Sequence, residues 1–193
     1  MAIQLPFNTL SQWQNIAFSA ALLERMLPNY AMFSEVTSFG DSKILRNQLD
    51  LLWQWLDKNN RCKINYSAQL TKLEPQIPDP EVFESYGVFP AIDTCMALMS
   101  LLQSMQDKDE QGYANVSRLS ENTVNGFVDL ELSQEYEEVT ESQIAQHPLM
   151  QWEHDTQIEL FDFIKNQPEN KATCLKAKAL VLEEGISNLG IEI

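Results

Sequence analysis

Histidine, which binds most transition metals, is scarce in this sequence. Pro148 directly follows His147 and places it outside a helix, so His147 and His154 do not share a helical face. The neighbours Glu153, His154 and Asp155 point in different directions around a helix, which does not suit a tetrahedral zinc site. We therefore expect a solvated helix surface here rather than a metal or catalytic site.

Cysteine and glycine are also few. The three cysteines, Cys62, Cys95 and Cys174, are far apart and form no Cys-x-x-Cys pair, so we predict reduced thiols and a cytoplasmic protein. Six scattered glycines exclude the P-loop, the dinucleotide-binding pattern and the nucleophile elbow. The Glu-x-x-His pairs of di-iron bundles are absent. The sequence thus predicts no metal and no cofactor.

No apolar run is long enough to predict a membrane span. The longest apolar region, residues 87–102, is interrupted by Pro90, Asp93, Thr94 and Ser100, whereas a spanning helix needs about 20 consecutive apolar residues. The first residues lack the basic start and the apolar core of a secretion signal. We therefore predict no membrane association.

Lysine and arginine are absent from residues 119–164, which we call the acidic span. It contains eleven acids and so carries eleven of the fifteen net negative charges of the chain. Such a span repels phosphate and attracts cations and basic protein surfaces. Direct nucleic-acid binding is not expected, because no basic patch is available to neutralise phosphates. Candidate residues for an acidic partner surface are Glu131, Glu135, Glu137, Glu138 and Glu141.

The chain does contain enough apolar residues for one core. Hydrophobic residues make up 44% of the sequence and charged residues 21%, both ordinary for a globular protein. A chain of this length buries about 70% of the surface that its unfolded form exposes, so it needs no disulfide or metal to fold. We predict one domain over residues 1–193.

Apolar residues recur every three to four positions, which predicts helices almost throughout. Thr9 and Gln12 match a capping box that predicts the start of the first helix, and Pro28 predicts its end. A short helical piece is expected over residues 29–39, and Asp41 caps the next helix. The apolar stripe of that helix consists of Leu45, Leu49, Leu52 and Leu56.

The segment after Pro90 is apolar around nearly its full circumference, which is typical of a helix at the centre of a bundle. Asp79, Pro80 and Glu81 predict a short helix before it. Other helices are expected over residues 66–74, 110–132, 149–166 and 169–184. The inward stripe of the last consists of Leu175, Ala179, Leu182 and Ile186. The predicted fold is all-α: a single-domain bundle of about seven helices around a hydrophobic central helix.

Three charged or aromatic features stand out within these helices. Asp93 lies in the first turn of the predicted central helix, where we expect it to cap orphan amides rather than to serve as a buried general acid. Glu24 and Arg25 are expected to pair with another helix. Trp53 and Trp55 lie about 200° apart around a helix, so one of them is in a second interface or partly exposed. A homodimer through an exposed apolar helix face would suit these aromatic residues.

Several sequence blocks, taken in order along nearly the whole chain, resemble the YjaG-like family of bacterial proteins, a domain of unknown function. The blocks are Glu24-Arg25-Met26, Pro28 to Phe33, Phe39-Gly40-Asp41, Tyr86-Gly87-Val88, Pro90 to Asp93, Cys95 with Ala97-Leu98, Ser187-Asn188 and Gly190-Ile191. The resemblance implies a small, cytoplasmic, all-helical protein and supplies no activity or catalytic residue. It places Tyr30, Asp41, Tyr86 and Asp93 in shared blocks, as structural or as functional residues.

Two classes of function follow from these observations. The first is a non-enzymatic protein that binds a basic protein partner through its acidic surface, with mere solubility as the alternative explanation of the acids. The second is an enzyme or small-ligand-binding bundle, with a pocket near Tyr30, Asp41, Tyr86 and Asp93 at the ends of the first, second and central helices.

Overall fold

Eight α-helices build the described part of the chain, which comprises residues 3–60, 62–109 and 111–193 of a computed structural model. Within these residues no strand forms, and Ile186 and Glu192 make a single antiparallel bridge. The all-α prediction is confirmed. The helices are α1 (Gln12–Thr37), α2 (Ser42–Leu56), α3 (Tyr66–Leu73), α4 (Val88–Asp107), α5 (Gln111–Leu132), α6 (Glu141–Gln146), α7 (Pro148–Lys165) and α8 (Lys171–Val181), with 3-10 turns at Phe7–Thr9 and Glu74–Gln76.

Helix α1 begins two residues later than predicted. The capping box is formed by Ser11 and Gln14, whose side chains each bond the other residue's backbone N–H. Thr9 lies instead in the preceding 3-10 turn and donates its hydroxyl to the Pro6 carbonyl. The sequence contains two overlapping copies of the same Ser/Thr-x-x-Gln motif, and local chemistry alone does not distinguish them.

Helix α1 also continues through Pro28, which was wrongly predicted to end it. Proline removes the hydrogen bond that the Glu24 carbonyl would accept in a regular helix. Carbonyls next to this break accept hydrogen bonds from outside α1: the Asn188 N–H donates to Arg25 O at 3.2 Å, and the Thr94 hydroxyl donates to Met26 O at 3.1 Å. Tertiary contacts thus offset part of the cost of proline inside the helix.

The centre of the bundle is α1, which contacts α2, α4, α5, α7 and α8. Residues from Asn15 to Leu27 are buried without interruption. The segment after Pro90 was predicted to hold this place. It forms α4, which begins earlier, at Val88, and packs against α1, α3 and α5 but leaves Phe89 and Met96 exposed.

Helix α4 is long and apolar enough to cross a membrane by length and composition alone, which the prediction of no apolar span did not anticipate. It shares its buried face with the main core, and 61% of its most apolar window is buried inside the fold. A core helix passes the same test of length and composition as a membrane helix does.

Three further expectations differ from the structure. Asp79 forms a turn, accepting a hydrogen bond from the Glu81 N–H, rather than capping a helix, and α6 was not predicted. In α8 the predicted stripe is rotated, since Leu175 is exposed and Val181 is buried. The buried residues of α8 are Thr173, Cys174, Ala177 and Val181. By contrast, Trp53 is buried and Trp55 is partly exposed, as their spacing predicts.

Helices α4 and α5 are in close contact at Gly112, near the start of α5. A Cβ at this position would lie 1.6 Å from Ser104 Oγ and 2.8 Å from the backbone oxygen of Ser100. Only glycine therefore permits this contact between the two helices.

We expect Gly112→Ala to lower the free energy of unfolding by about 1–3 kcal/mol, because the two helices must separate to make room for the methyl group. Urea denaturation would measure this. Gly126→Ala in the same helix is the matched control. Its Cβ would meet only the hydroxyl of Tyr86, at 3.0 Å, so we expect a change below about 1 kcal/mol. Equal effects of the two substitutions would contradict this account of the contact.

Candidate functional site

An ion pair shielded from solvent joins α1 to α7. Arg25 Nη1 lies 2.6 Å from Glu153 Oε2, and both side chains are fully buried. The guanidinium also stacks on the ring of Trp152, with its Cζ 4.2 Å from the ring centroid. The prediction of a solvated surface around residues 153–155 is therefore wrong for Glu153. The predicted pairing of Arg25 with another helix is confirmed.

The second oxygen of Glu153 is also satisfied. Ser120 Oγ donates to Glu153 Oε1 at 2.5 Å, and Gln157 Nε2 donates to the same atom at 2.8 Å. Asn188 extends the network, because its Nδ2 donates to the carbonyl and hydroxyl of Ser120. A single carboxylate thus connects α1, α5 and α7. The C-terminal segment, residues 182–193, is bonded to the same network through Asn188.

The preceding residue, Glu24, serves a second network on another side of α1. It accepts two hydrogen bonds from Arg46, at 2.6 and 3.0 Å, and one from Trp53 Nε1 at 2.7 Å. Lys178 of α8 lies 2.9 Å from the same carboxylate. Burial alone would raise the pKa of Glu24, but Arg46 and Lys178 outweigh it and lower that pKa. Glu24 stays ionised and connects α1, α2 and α8.

Tyr30 and Asp41, two of the four candidate pocket residues, meet at Gln76. The Tyr30 hydroxyl donates to the Gln76 carbonyl at 2.9 Å, and the Asp41 N–H donates to Gln76 Oε1 at 2.8 Å. The carboxylate of Asp41 accepts from the Lys43 N–H and caps α2, as predicted. Burial raises the pKa of Tyr30 above its usual value. These contacts hold the α1–α2 connection against the 3-10 turn at Glu74–Gln76.

Asp93 and Tyr86, the other two candidates, lie near α5. Asp93 is the sixth residue of α4, so it does not cap the helix as expected; it accepts a hydrogen bond from Thr123 Oγ1 of α5 at 2.9 Å. Burial raises the pKa of Asp93, and the Thr123 bond partly opposes that change. Burial, with the nearby charges of Asp93 and Asp129, raises the pKa of Tyr86 to about 12, so its phenol stays protonated at neutral pH.

The four candidates therefore form two separate pairs. Of the four, only Tyr86 lines the apolar cavity of about 330 Å³ that opens between α1, the start of α4, α5 and the C-terminal segment. Tyr30, Asp41 and Asp93 use their polar atoms in contacts that position helices.

The acidic span divides into an interior part and a surface part. Two of its eleven acids are buried: Glu153, and Glu121, which accepts hydrogen bonds from the Ile3 N–H and lies 2.9 Å from His154 Nε2. The other nine acids are exposed. Within the described residues, no group of three or more histidine, cysteine, aspartate or glutamate side chains could hold a metal ion.

The fold is an all-α bundle in which one long, proline-containing helix is joined by ion pairs to α2, α7 and α8. The sequence profile of the family described as "Protein of unknown function (DUF416)" matches residues 3–192. The chain belongs to this family, and the YjaG-like resemblance is confirmed.

Relatives match over nearly their full length. The uncharacterized protein YjaG of Escherichia coli is 39% identical over 191 residues, covering 98% of this chain and 95% of the relative. An uncharacterized protein of Haemophilus influenzae is 33% identical over 188 residues, covering 96% and 94%. The crystal structure of a DUF416 family protein from Shewanella baltica OS155 superposes with a TM-score of 0.87 at 35% identity, covering 99% of this chain and 100% of that one. These names carry no activity.

The Arg25–Glu153 pair generates a test of stability. We expect Glu153→Gln to lower the free energy of unfolding by about 3–5 kcal/mol, because it leaves the Arg25 charge buried without a counter-charge. Replacing both partners, as Arg25→Met with Glu153→Leu, should cost less than the single substitution, since no lone charge remains. Urea denaturation of wild type, the single variant and the double variant would measure this. A double variant that is less stable than the single variant would contradict the expectation.

Asp93 generates a test of pH dependence. Because its folded-state pKa is raised, the folded protein binds a proton more tightly than the unfolded chain, and this part of the stability is lost as the pH rises through that pKa. Asp93→Asn keeps an acceptor for Thr123 and does not titrate. Its stability relative to wild type should therefore increase between about pH 4 and about pH 7.

Asp162→Asn, which removes the charge of an exposed residue, is the control for the change in net charge. A difference between Asp93→Asn and wild type that stays constant over the same pH range would contradict the burial of the Asp93 charge.

Proposed function

We propose that this DUF416 protein is a non-enzymatic, cytoplasmic binding protein that docks a basic protein partner through its acidic surface. We define the acidic surface as Glu131, Glu135, Glu137, Glu138 and Glu141, at the end of α5, in the following connection and at the start of α6. The observation that supports the proposal is the exposure of all five side chains in a span without lysine or arginine.

No lysine or arginine of the described residues pairs with this surface. Among the described residues, the ion pairs of lysine and arginine join Arg25 to Glu153, Arg46 to Glu24 and Asp50, Lys58 to Glu169, Lys171 to Asp57 and Lys178 to Glu24. None of these pairs reaches the acidic surface. On this surface, His147 Nε2 lies 3.6 Å from Glu131 Oε2. The field of the surface is thus free to attract a partner, over about 8 Å at physiological salt.

Apolar side chains accompany the acids. Leu130 and Tyr136 are 43% and 46% exposed, within the same stretch of chain. Protein interfaces commonly combine an apolar anchor with a charged rim, and tyrosine is enriched among the anchors. A surface that only kept the protein soluble would gain nothing from these two side chains. The combination favours a protein partner whose basic residues surround an apolar patch.

The internal contacts of Tyr30, Asp41 and Asp93 support binding over catalysis. Each of these side chains has a partner that positions a helix, so none presents an unengaged acid or base to a substrate. The cytoplasmic location and a homodimer remain predictions from the sequence.

The decisive comparison is between two variants of equal net charge. The first replaces the five acidic-surface glutamates by glutamine. The second, the matched control, replaces five exposed glutamates outside the acidic span: Glu74, Glu81, Glu84, Glu183 and Glu184. Proteins captured by wild type from a bacterial lysate at low salt would be purified and titrated against all three proteins by calorimetry.

We expect a basic partner whose dissociation constant rises about tenfold with the first variant, since five exposed ion pairs of about 0.3 kcal/mol each are lost. The control variant should change it less than about twofold. Affinity should also fall as salt is raised. Equal weakening by both variants would assign the effect to net charge alone, and purified candidates that bind none of the three proteins would refute the proposal.

A further inference from the structure

The apolar cavity beside Tyr86 differs in chemistry from the rest of the molecule. Charged residues make up 21% of the chain, yet none of those that the structure describes lines this cavity. Its walls come from α1, the start of α4, α5 and the C-terminal segment. The lining residues are Asn29, Met32, Phe33, Val36, Thr37, Ser85, Tyr86, Gly87, Pro90, Phe127, Leu189 and Ile191.

Three aromatic rings form much of the wall. The Tyr86 ring is tilted against that of Phe127, with centroids 6.2 Å apart, and Phe33 packs edge-on to Phe83, with centroids 5.1 Å apart. Rings held by such contacts present fixed faces and edges to a ligand. The volume of about 330 Å³ lies at the lower end of the range for small-molecule sites.

Tyr86 and Asn29 bring polar atoms without a hydrogen-bond partner among the described residues to the lining. The Tyr86 phenol makes no hydrogen bond to another described side chain or backbone group. The Asn29 carboxamide, 3% exposed, donates through Nδ2 to Asn188 Oδ1 but leaves its own Oδ1 without a donor. A buried acceptor without a donor is costly, so a ligand that donates a hydrogen bond at this end of the cavity would be favoured.

The outer wall is held in place by the polar network described above. Asn188 is bonded to the Arg25 carbonyl, to Asn29 and to Ser120, so the adjacent Leu189 is anchored beside it. The Ser187 hydroxyl accepts from the N–H groups of Leu189 and Ile191. The cavity is therefore preformed, and little ordering of the chain opposes ligand entry.

We propose that this cavity binds an uncharged aromatic or aliphatic small molecule that carries one hydrogen-bonding group. The apolar rings and side chains hold the body of the ligand, and Tyr86 bonds its polar group. An anionic ligand is disfavoured, because the lining offers no cation and the protein as a whole is strongly negative. This site is independent of the acidic surface, so either proposal can fail alone.

The test uses N-phenyl-1-naphthylamine, an uncharged dye that fluoresces in apolar surroundings. We expect saturable binding to the full chain with one dye per protein, and competition by 1-naphthol but not by 1-naphthalenesulfonate. Tyr86→Phe should weaken 1-naphthol about fivefold, the effect of one lost hydrogen bond. It should leave the dye's own affinity unchanged within about twofold, because the dye's bulk is apolar.

Two valine substitutions locate the site. Val36 is 72% exposed at the edge of the cavity, and Val82 is 67% exposed outside its lining. Val36→Trp should weaken dye binding about tenfold by covering the opening, whereas Val82→Trp, the matched control, should not change it. Amide chemical shifts recorded during titration of wild type with 1-naphthol should move around Phe33, Tyr86 and Leu189. Equal effects of the two tryptophan substitutions on dye binding would overturn the proposal. Chemical-shift changes confined to other regions, or the absence of saturable dye binding, would also overturn it.

Discussion

The buried charge pair of Arg25 and Glu153 is the constraint on which the arrangement of the helices depends. A guanidinium and a carboxylate that are both fully removed from water lose several kcal/mol of hydration each, so they persist only with close and well-directed partners. Ser120 and Gln157 donate to the carboxylate from α5 and α7, and Trp152 stacks on the guanidinium, whose Nε and Nη2 make no hydrogen bond within the described residues. The positions of three helices and of the C-terminal segment are therefore coupled through one carboxylate.

The acids of the chain separate into two roles according to their surroundings. Glu24, Glu121 and Glu153 are buried beside cationic or hydrogen-bonding groups and hold helices together. Within the described residues, no lysine or arginine forms an ion pair with the exposed glutamates from residue 131 to residue 141. Arg25, Arg46 and Lys178 offset the charges of Glu153 and Glu24, while the exposed glutamates dominate the external field. Counting charge along the sequence does not reveal this division, because it depends on which side of a helix faces the core.

The periodicity of apolar residues was sufficient to predict the all-α fold and the extents of α5 and α7 to within one residue. It failed at Pro28, because distant groups such as Thr94 and Asn188 bond the carbonyls near the proline. It also failed for Glu153, although this residue lies at helical spacing with buried Met150, Leu160 and Ile164 of α7. That spacing could have predicted the burial of Glu153. The sequence could not predict that the four candidate residues form two pairs, because their positions depend on Gln76 and Thr123 in other elements.

The adjacency of Glu24 and Arg25 has a consequence for how α1 can sit in the bundle. Successive residues of a helix lie about 100° apart, so these opposite charges face different neighbours. If α1 turned by one residue in one direction, Glu24 would face Glu153; if it turned by one residue in the other direction, Arg25 would face Arg46 and Lys178. Either rotation sets like charges together where water screens them poorly. The apolar side chains around α1 would tolerate such a rotation, but the two charges would not. The two charges therefore permit only one orientation of α1 about its own axis.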